Sequence, residues 1–276
     1  MRANAAAGAF EWPARALFGV LLAGVAVSVT IAGGFYFTAF VLLVASAAAR
    51  EWHRMVSGDK YVLEILATAC AIAASLISAG AAQHGLWPAW FLAVGSILAG
   101  LAAYANGANV LWNGSGAIYV GVPALSLVLL RSEIANGLAS VLVVFIAIWT
   151  SDTGALILGR LIGGPKLAPA LSPNKTWAGF LGGGSLAAAS LAFCAALRGG
   201  NAWKAAFLGL GLALAGHAGD LFESWVKRRV GRKNSGGLIP GHGGVLDRID
   251  STLFVAPLAA CLVFVFGLDL LVGAHW

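Results

Sequence analysis

From Ala16 to Gly34 the chain reads ALFGVLLAGVAVSVTIAGG, with no charged side chain, and runs of this kind recur almost to the end. A helix needs about 20 such residues to cross a hydrocarbon layer roughly 30 Å thick. Only helices and closed barrels can satisfy their backbone polar groups there. Just 10% of the residues are charged and mean hydropathy is +0.87, whereas an ordinary globular domain carries roughly a quarter charged residues. The sequence therefore predicts an all-α polytopic integral membrane protein.

Nine spans are expected, near residues 15–33, 35–49, 61–82, 87–106, 114–130, 137–159, 178–197, 203–223 and 251–273. The second is short and calls for a packed environment. The first could be a signal peptide, but no small-x-small cleavage pattern ends it and another apolar run follows at once, so it reads as a retained span. Residues 1–136 form an N-terminal set of about five spans, and residues 137–276 a C-terminal catalytic region of about four, with polar loops at 160–177 and 224–250. Gly209 and Ala213 have the small-xxx-small spacing that permits close helix packing.

With nine spans, fourteen of the seventeen Lys and Arg residues fall on one side. The positive-inside bias then predicts a cytoplasmic N-terminus and an external C-terminus. The same bias accounts for a pI near 9.6 without a nucleic-acid partner, since no solvated basic domain exists to hold one. Cys70, Cys194 and Cys261 lie singly inside apolar runs and read as small buried hydrophobes. Tryptophans near span ends, Trp52, Trp112 and Trp225 among them, read as interface anchors.

Two segments on the predicted cytoplasmic side hold most of the polar residues: Ser151–Gly179 and Gly216–Ser251. Asp152 sits in the sixth span, Asp220 near the end of the eighth, and Asp247 and Asp250 open the ninth. A charge at mid-span costs about 2.5–3.5 kcal/mol on insertion scales, so aspartates here want partners. Asp247 and Asp250 are three apart and so share a helical face. With Asp220 added, converging carboxylates call for a cation, and oxygen ligands suit Mg²⁺. The alternative is an ion-pair network with Arg248, Lys227 and Arg228. Glu223 and Lys227 have the spacing of a plain helix-face salt bridge.

The stretch "SGGLIPGHGG" is too glycine-rich for helix. It either links two spans or lets backbone N–H groups approach a phosphate, with His242 donating to that phosphate or holding the loop. "SPNKTW" places Ser172, Lys175 and Thr176 just before a span. Such a helix start suits a phosphate, although capping by Ser172 or Thr176 explains the hydroxyls equally well.

At these residues the chain resembles the phosphatidate cytidylyltransferase (CDP-diacylglycerol synthase) family. The resemblance runs from Ser224 through Lys227, Arg228, Lys233, Pro240, His242, Gly243, Gly244, Asp247 and Arg248 to Asp250, and upstream through "SDTGA", Gly159–Arg160 and "SPNKTW". Asn234 stands where the family usually has Asp, and Ala178 where many members have Glu. The resemblance implies the reaction CTP + phosphatidate → CDP-diacylglycerol + pyrophosphate. It implies catalytic roles for Asp220, Lys227, Asp247, Arg248 and Asp250. CTP or phosphate contacts would come from Asp152, Ser172, Lys175, Thr176, Arg228, His242, Gly243 and Gly244, and Mg²⁺ would be held by Asp220 and Asp247. A second cation and a homodimer are left open. Its partners would be CTP, phosphatidate and membrane lipids, in a bacterial-type inner membrane with the site facing the cytoplasm.

Other classes fit less well. A CTP-dependent polyprenol or lipid kinase would use similar parts but not the long motif. A CDP-alcohol phosphatidyltransferase would need a D-x2-D-G-x2-A-R pattern, which does not occur. A transporter would place its polar residues near mid-bilayer.

Overall fold

The computed structural model describes residues 19–58, 61–81, 88–132, 136–232, 235–236 and 243–270. Its elements in order are α1 (Gly19–Ala32), α2 (Gly34–Ser57), α3 (Val62–Ala81), α4 (Ala89–Ala105), α5 (Val110–Ser132), α6 (Gly137–Leu161), β1 (Lys166–Ala168), β2 (Ser172–Thr176), α7 (Trp177–Leu197), α8 (Ala202–Arg229), α9 (Leu246–Ile249) and α10 (Thr252–Phe264).

Six of these helices are long and apolar enough to cross a membrane: α2, α3, α5, α6, α7 and α8. This corrects the expectation of nine spans to about six. Hydropathy finds apolar runs but does not measure how much of a run stays helical. At 1.5 Å per residue, α4 with 17 residues reaches about 25 Å, and α10 with 13 reaches about 20 Å. The expected ninth span leaves the helix after Phe264, and of the expected first span only Gly19–Ala32 is described as helix. The N-inside, C-outside orientation depended on the alternation of nine spans and is withdrawn with them.

The second helix errs in the other direction. Predicted as a short run ending at residue 49, it continues through Glu51, Trp52 and His53 to Ser57. These polar residues looked like a span end, yet Glu51 and His53 are buried by neighbouring helices. Trp52, expected at an interface, is 1% exposed. Its indole Nε1 donates to the Trp112 carbonyl at 2.8 Å.

Helix α5 is central, with 67% of its apolar window buried against 33–39% in the other five long helices. It packs on α2, α3, α4 and α10, while α6, α7 and α8 pack in sequence and α10 bridges α5 to α8. Small residues permit the closest approaches. A Cβ on Gly209 of α8 would lie 2.6 Å from the Ala187 carbonyl oxygen of α7, so Gly209 does serve helix packing. An aromatic seam joins the two sets of helices. Trp52, Tyr119, Phe222 and Phe254 form successive ring contacts at 4.6, 5.4 and 5.5 Å, tying α8 to α2, α5 and α10. Between α6 and α7 lies a two-stranded antiparallel hairpin, Lys166 opposite Thr176 and Ala168 opposite Ser172.

Candidate active site

The polar residues of the C-terminal region collect at the C-terminal end of α8. Two glycines on one face of that helix, Gly216 and Gly219, bring the 250–255 segment against it. A Cβ at Gly219 would meet the Asp250 carbonyl oxygen at 2.5 Å, and one at Gly216 would touch Ser251 and Val255 at 3.5 Å. The next residue, Asp220, is thereby set beside Asp250.

Two lysine–aspartate pairs organise the site. Lys175, at the end of the hairpin, forms an ion pair with Asp220. Lys227, seven residues further along α8, donates to Asp247 Oδ1 at 2.7 Å and lies 3.5 Å from Glu223. The Glu223–Lys227 helix-face pair therefore exists. Glu223 is fully buried, and neither of its oxygens has a hydrogen-bond partner among the described residues.

Asp247 ties the glycine-rich loop to α8. Its Oδ2 accepts from the Ser235 hydroxyl at 2.7 Å and the Gly244 amide at 3.1 Å. Burial acts to raise this carboxyl, but the hydrogen bonds from Lys227 and Ser235, the Lys227 charge and the Gly244 amide together hold it below the usual carboxylate range. Gly243 adopts φ +85°, a left-handed conformation that favours glycine.

Asp250 shares Glu223 and Lys227 with Asp247 as charged neighbours, and it also lies within reach of Asp220 and Asp152. Burial first, then the charge of Asp220 and less that of Asp152, push Asp250 up to about 7, against the opposing effects of the Ser251 amide and Lys175. Asp152 on α6 thus belongs to the same charge cluster, although it comes from a distant part of the sequence.

The remaining predicted residues divide. Thr176 is the N-cap of α7 and accepts from the Gly179 amide at 3.1 Å, the plainer of its two sequence readings. Ser172 sits in the hairpin rather than at a helix start. Arg228 is exposed and its Nε lies 3.4 Å from the Leu171 carbonyl oxygen, on the hairpin turn. Arg248 is exposed on α9. His242 and Asn234 lie outside the described residues.

Among the side chains that escaped the sequence reading are Ser235, which donates to Asp247, and Glu51. Glu51 of α2 accepts the Leu246 amide on Oε2 at 2.8 Å. Its only sequence signal was a carboxylate among apolar residues in "AAAREWHRM", far from the motif it touches.

The donor chemistry fits a magnesium ion. Among the described residues no group of three or more His, Cys, Asp or Glu could hold a metal ion by itself. Mg²⁺ does not require such a cage, being bound usually through one or two carboxylates completed by water and substrate phosphates. Asp220 is paired with Lys175, Asp247 is held by Lys227, Ser235 and the Gly244 amide, and the repulsion of Asp250 by Asp220 and Asp152 marks a crowding of carboxylates that a cation would relieve.

A model of the cytidylyltransferase family matches residues 13–266. A protein of Brucella suis biovar 1 named phosphatidate cytidylyltransferase is 36% identical over 256 residues, 92% of this chain and 92% of the relative. One of the same name from Brucella melitensis biotype 1 is 35% identical over the same extent. Another from Staphylococcus haemolyticus is 43% identical over 147 residues, covering 52% of this chain and 55% of the relative.

Proposed function

This chain belongs to the cytidylyltransferase family, and from that premise we propose that it transfers the cytidylyl group of CTP to phosphatidate, giving CDP-diacylglycerol and pyrophosphate. The observation that carries the reading is similarity over 92% of the chain to proteins named for this activity. The meeting of the motif residues around one end of α8 gives it additional support.

The chemistry asks little of a general base. The nucleophile is the lipid phosphate, a monoester whose second pKa is about 6, so it is largely ionised at neutral pH. One of its oxygens attacks the α-phosphorus of CTP, the α–β phosphoanhydride bond breaks, and the bond electrons leave on pyrophosphate. Two anions must be brought together and a third anionic group released, so the work is charge neutralisation and alignment. Lys175, Lys227, Arg228 and Arg248 supply positive charge for this. The loop amide of Gly243 can reach a phosphate oxygen closely, while that of Gly244 holds Asp247. Asp220 and Asp247 would hold Mg²⁺, which when bound offsets triphosphate charge. Asp250 and Asp152 add negative charge beside Asp220 and strengthen the field that draws cations in. His242 is assigned to phosphate or to the loop fold. The site is assigned to the cytoplasmic face, where a water-soluble nucleotide meets a membrane-held lipid.

The test uses the whole chain purified in detergent with CTP, phosphatidate and Mg²⁺, and identifies the lipid product by mass spectrometry. CDP-diacylglycerol with one equivalent of pyrophosphate is expected. A phosphorylated lipid with CDP would assign a kinase instead.

A further inference from the structure

Helix α2 enters the polar site through one side chain. Glu51 is 2% exposed and is followed by buried Trp52 and His53. Its Oε2 receives the amide of Leu246, the residue just before Asp247. The same carboxyl group lies against the backbone of two loop glycines, since a Cβ on either Gly236 or Gly244 would collide with it. Its Oε1 has no hydrogen-bond partner among the described residues.

Burying a carboxyl group this completely is unfavourable unless its contacts repay it. Here they are concentrated on a few residues that also hold Asp247. Gly244 donates its amide to Asp247 while its α-carbon faces Glu51, and Ser235, the neighbour of Gly236, donates to Asp247 as well. Glu51 thus fixes from behind the turn that Asp247 fixes from in front. An apolar side chain could fill the space, but it would leave the buried Leu246 amide without this acceptor.

We propose that Glu51 is a positioning residue for the reaction. It holds the Gly244–Asp247 turn in the geometry in which the Gly244 amide, Ser235 and Lys227 fix Asp247, and so sets the affinity for CTP without touching it. This rests on the nucleotide-binding reading of the loop. The helices before α6 then contribute to the site as well as anchoring it.

The test compares E51A, E51Q and E51D with R131A, whose side chain donates to the Thr30 carbonyl at 2.7 Å, at the junction of α1 and α2 and on no residue of the site. Ala removes the acceptor; Gln keeps a carbonyl oxygen in its place; Asp withdraws the group by one methylene. For E51A, the KM for CTP rises about tenfold or more, the scale of one lost hydrogen bond to a charged group, and the KM for phosphatidate stays within about twofold. E51Q stays within about threefold of the parent in both. If E51A does not accumulate, E51D carries the test, with an expected rise of about fivefold in the KM for CTP alone.

Equal rises in both KM values, or a parent-like KM for CTP in E51A or E51D, would overturn the proposal. So would the same CTP-specific rise in R131A. If the parent made no CDP-lipid, the activity assignment would fail, and the positioning claim would be read from amide hydrogen exchange across residues 243–250. E51A, or E51D in its place, speeds that exchange and R131A does not; unchanged exchange contradicts the claim.

Discussion

Around His53, in the helices before α6, one cluster of buried polar side chains is internally satisfied. His53 Nδ1 lies 2.9 Å from the Asn113 side-chain oxygen and its Nε2 lies 2.9 Å from the Thr68 hydroxyl, while Ser57 donates to the same Asn113 oxygen at 2.6 Å. The site at the end of α8 is built differently. Among the described residues its carboxylates crowd together, two lysine–aspartate pairs are partly open, and Asp250 bears repulsion from Asp220 and Asp152 that the Ser251 amide and Lys175 offset only in part. The first arrangement specifies how helices fit. The second is the arrangement proposed to receive cationic and anionic ligands together. Burial of polar groups is common to both regions, so burial does not separate them; the balance of charge does.

That contrast predicts the largest effect at α8. Asp220→Asn and Asp247→Asn keep side-chain volume while removing negative charge. Each should lower turnover by about two orders of magnitude or more, the scale of a lost electrostatic contribution to the transition state, with folded yield held. Near-parental turnover in either variant would remove that residue from the metal-binding assignment.

A second effect is read in pH. The folded value of Asp250, about 7, lies above its ordinary value of 3.8. A raised carboxyl contributes stability below its unfolded value and loses it as pH rises through the folded one. The decline therefore falls between about pH 4 and pH 7. Asp250→Asn abolishes this term, so its thermal midpoint should fall less than the parent's between pH 4.5 and pH 8. Parallel curves for the two proteins would mean that Asp250 is not under the repulsion described.

The smallest effect on chemistry is expected in the first region. His53→Leu leaves Asn113 and Thr68 without their imidazole partner and should cost about 1–3 kcal/mol of stability. Turnover per folded molecule should stay within about twofold. A large loss of turnover at unchanged stability would place the His53 cluster in the chemistry and erase the distinction between the regions.

Much of the second region was legible in the sequence because its residues are close together in the chain. Ser224–Asp250 is one continuous motif, and the structure folds Lys227, Ser235, Gly244 and Asp247 directly onto one another. The hairpin was not legible. Lys166–Ala168 and Ser172–Thr176 have too few residues for a period to register, and "SPNKTW" reads equally well as a helix start; Thr176 does cap α7, but only after the strand. The number of spans was misread for the reverse reason. The apolar runs around α4 and α10 outlast their helices, whereas α2 continues past the point where Glu51 and His53 appeared to end it. Glu51 shows the limit most clearly. Its partner Leu246 lies 195 residues away, and nothing in its local sequence points there.

The central claim is that the bond broken in CTP lies between the α- and β-phosphates and that the α-phosphate moves to the lipid. It is tested most directly with the purified chain, Mg²⁺, phosphatidate and CTP labelled either at the α- or at the γ-phosphorus. The account predicts that α-label enters the lipid phase in proportion to pyrophosphate formed and that γ-label stays wholly in water. Transfer of γ-label to lipid, with α-label remaining in soluble CDP, would contradict it.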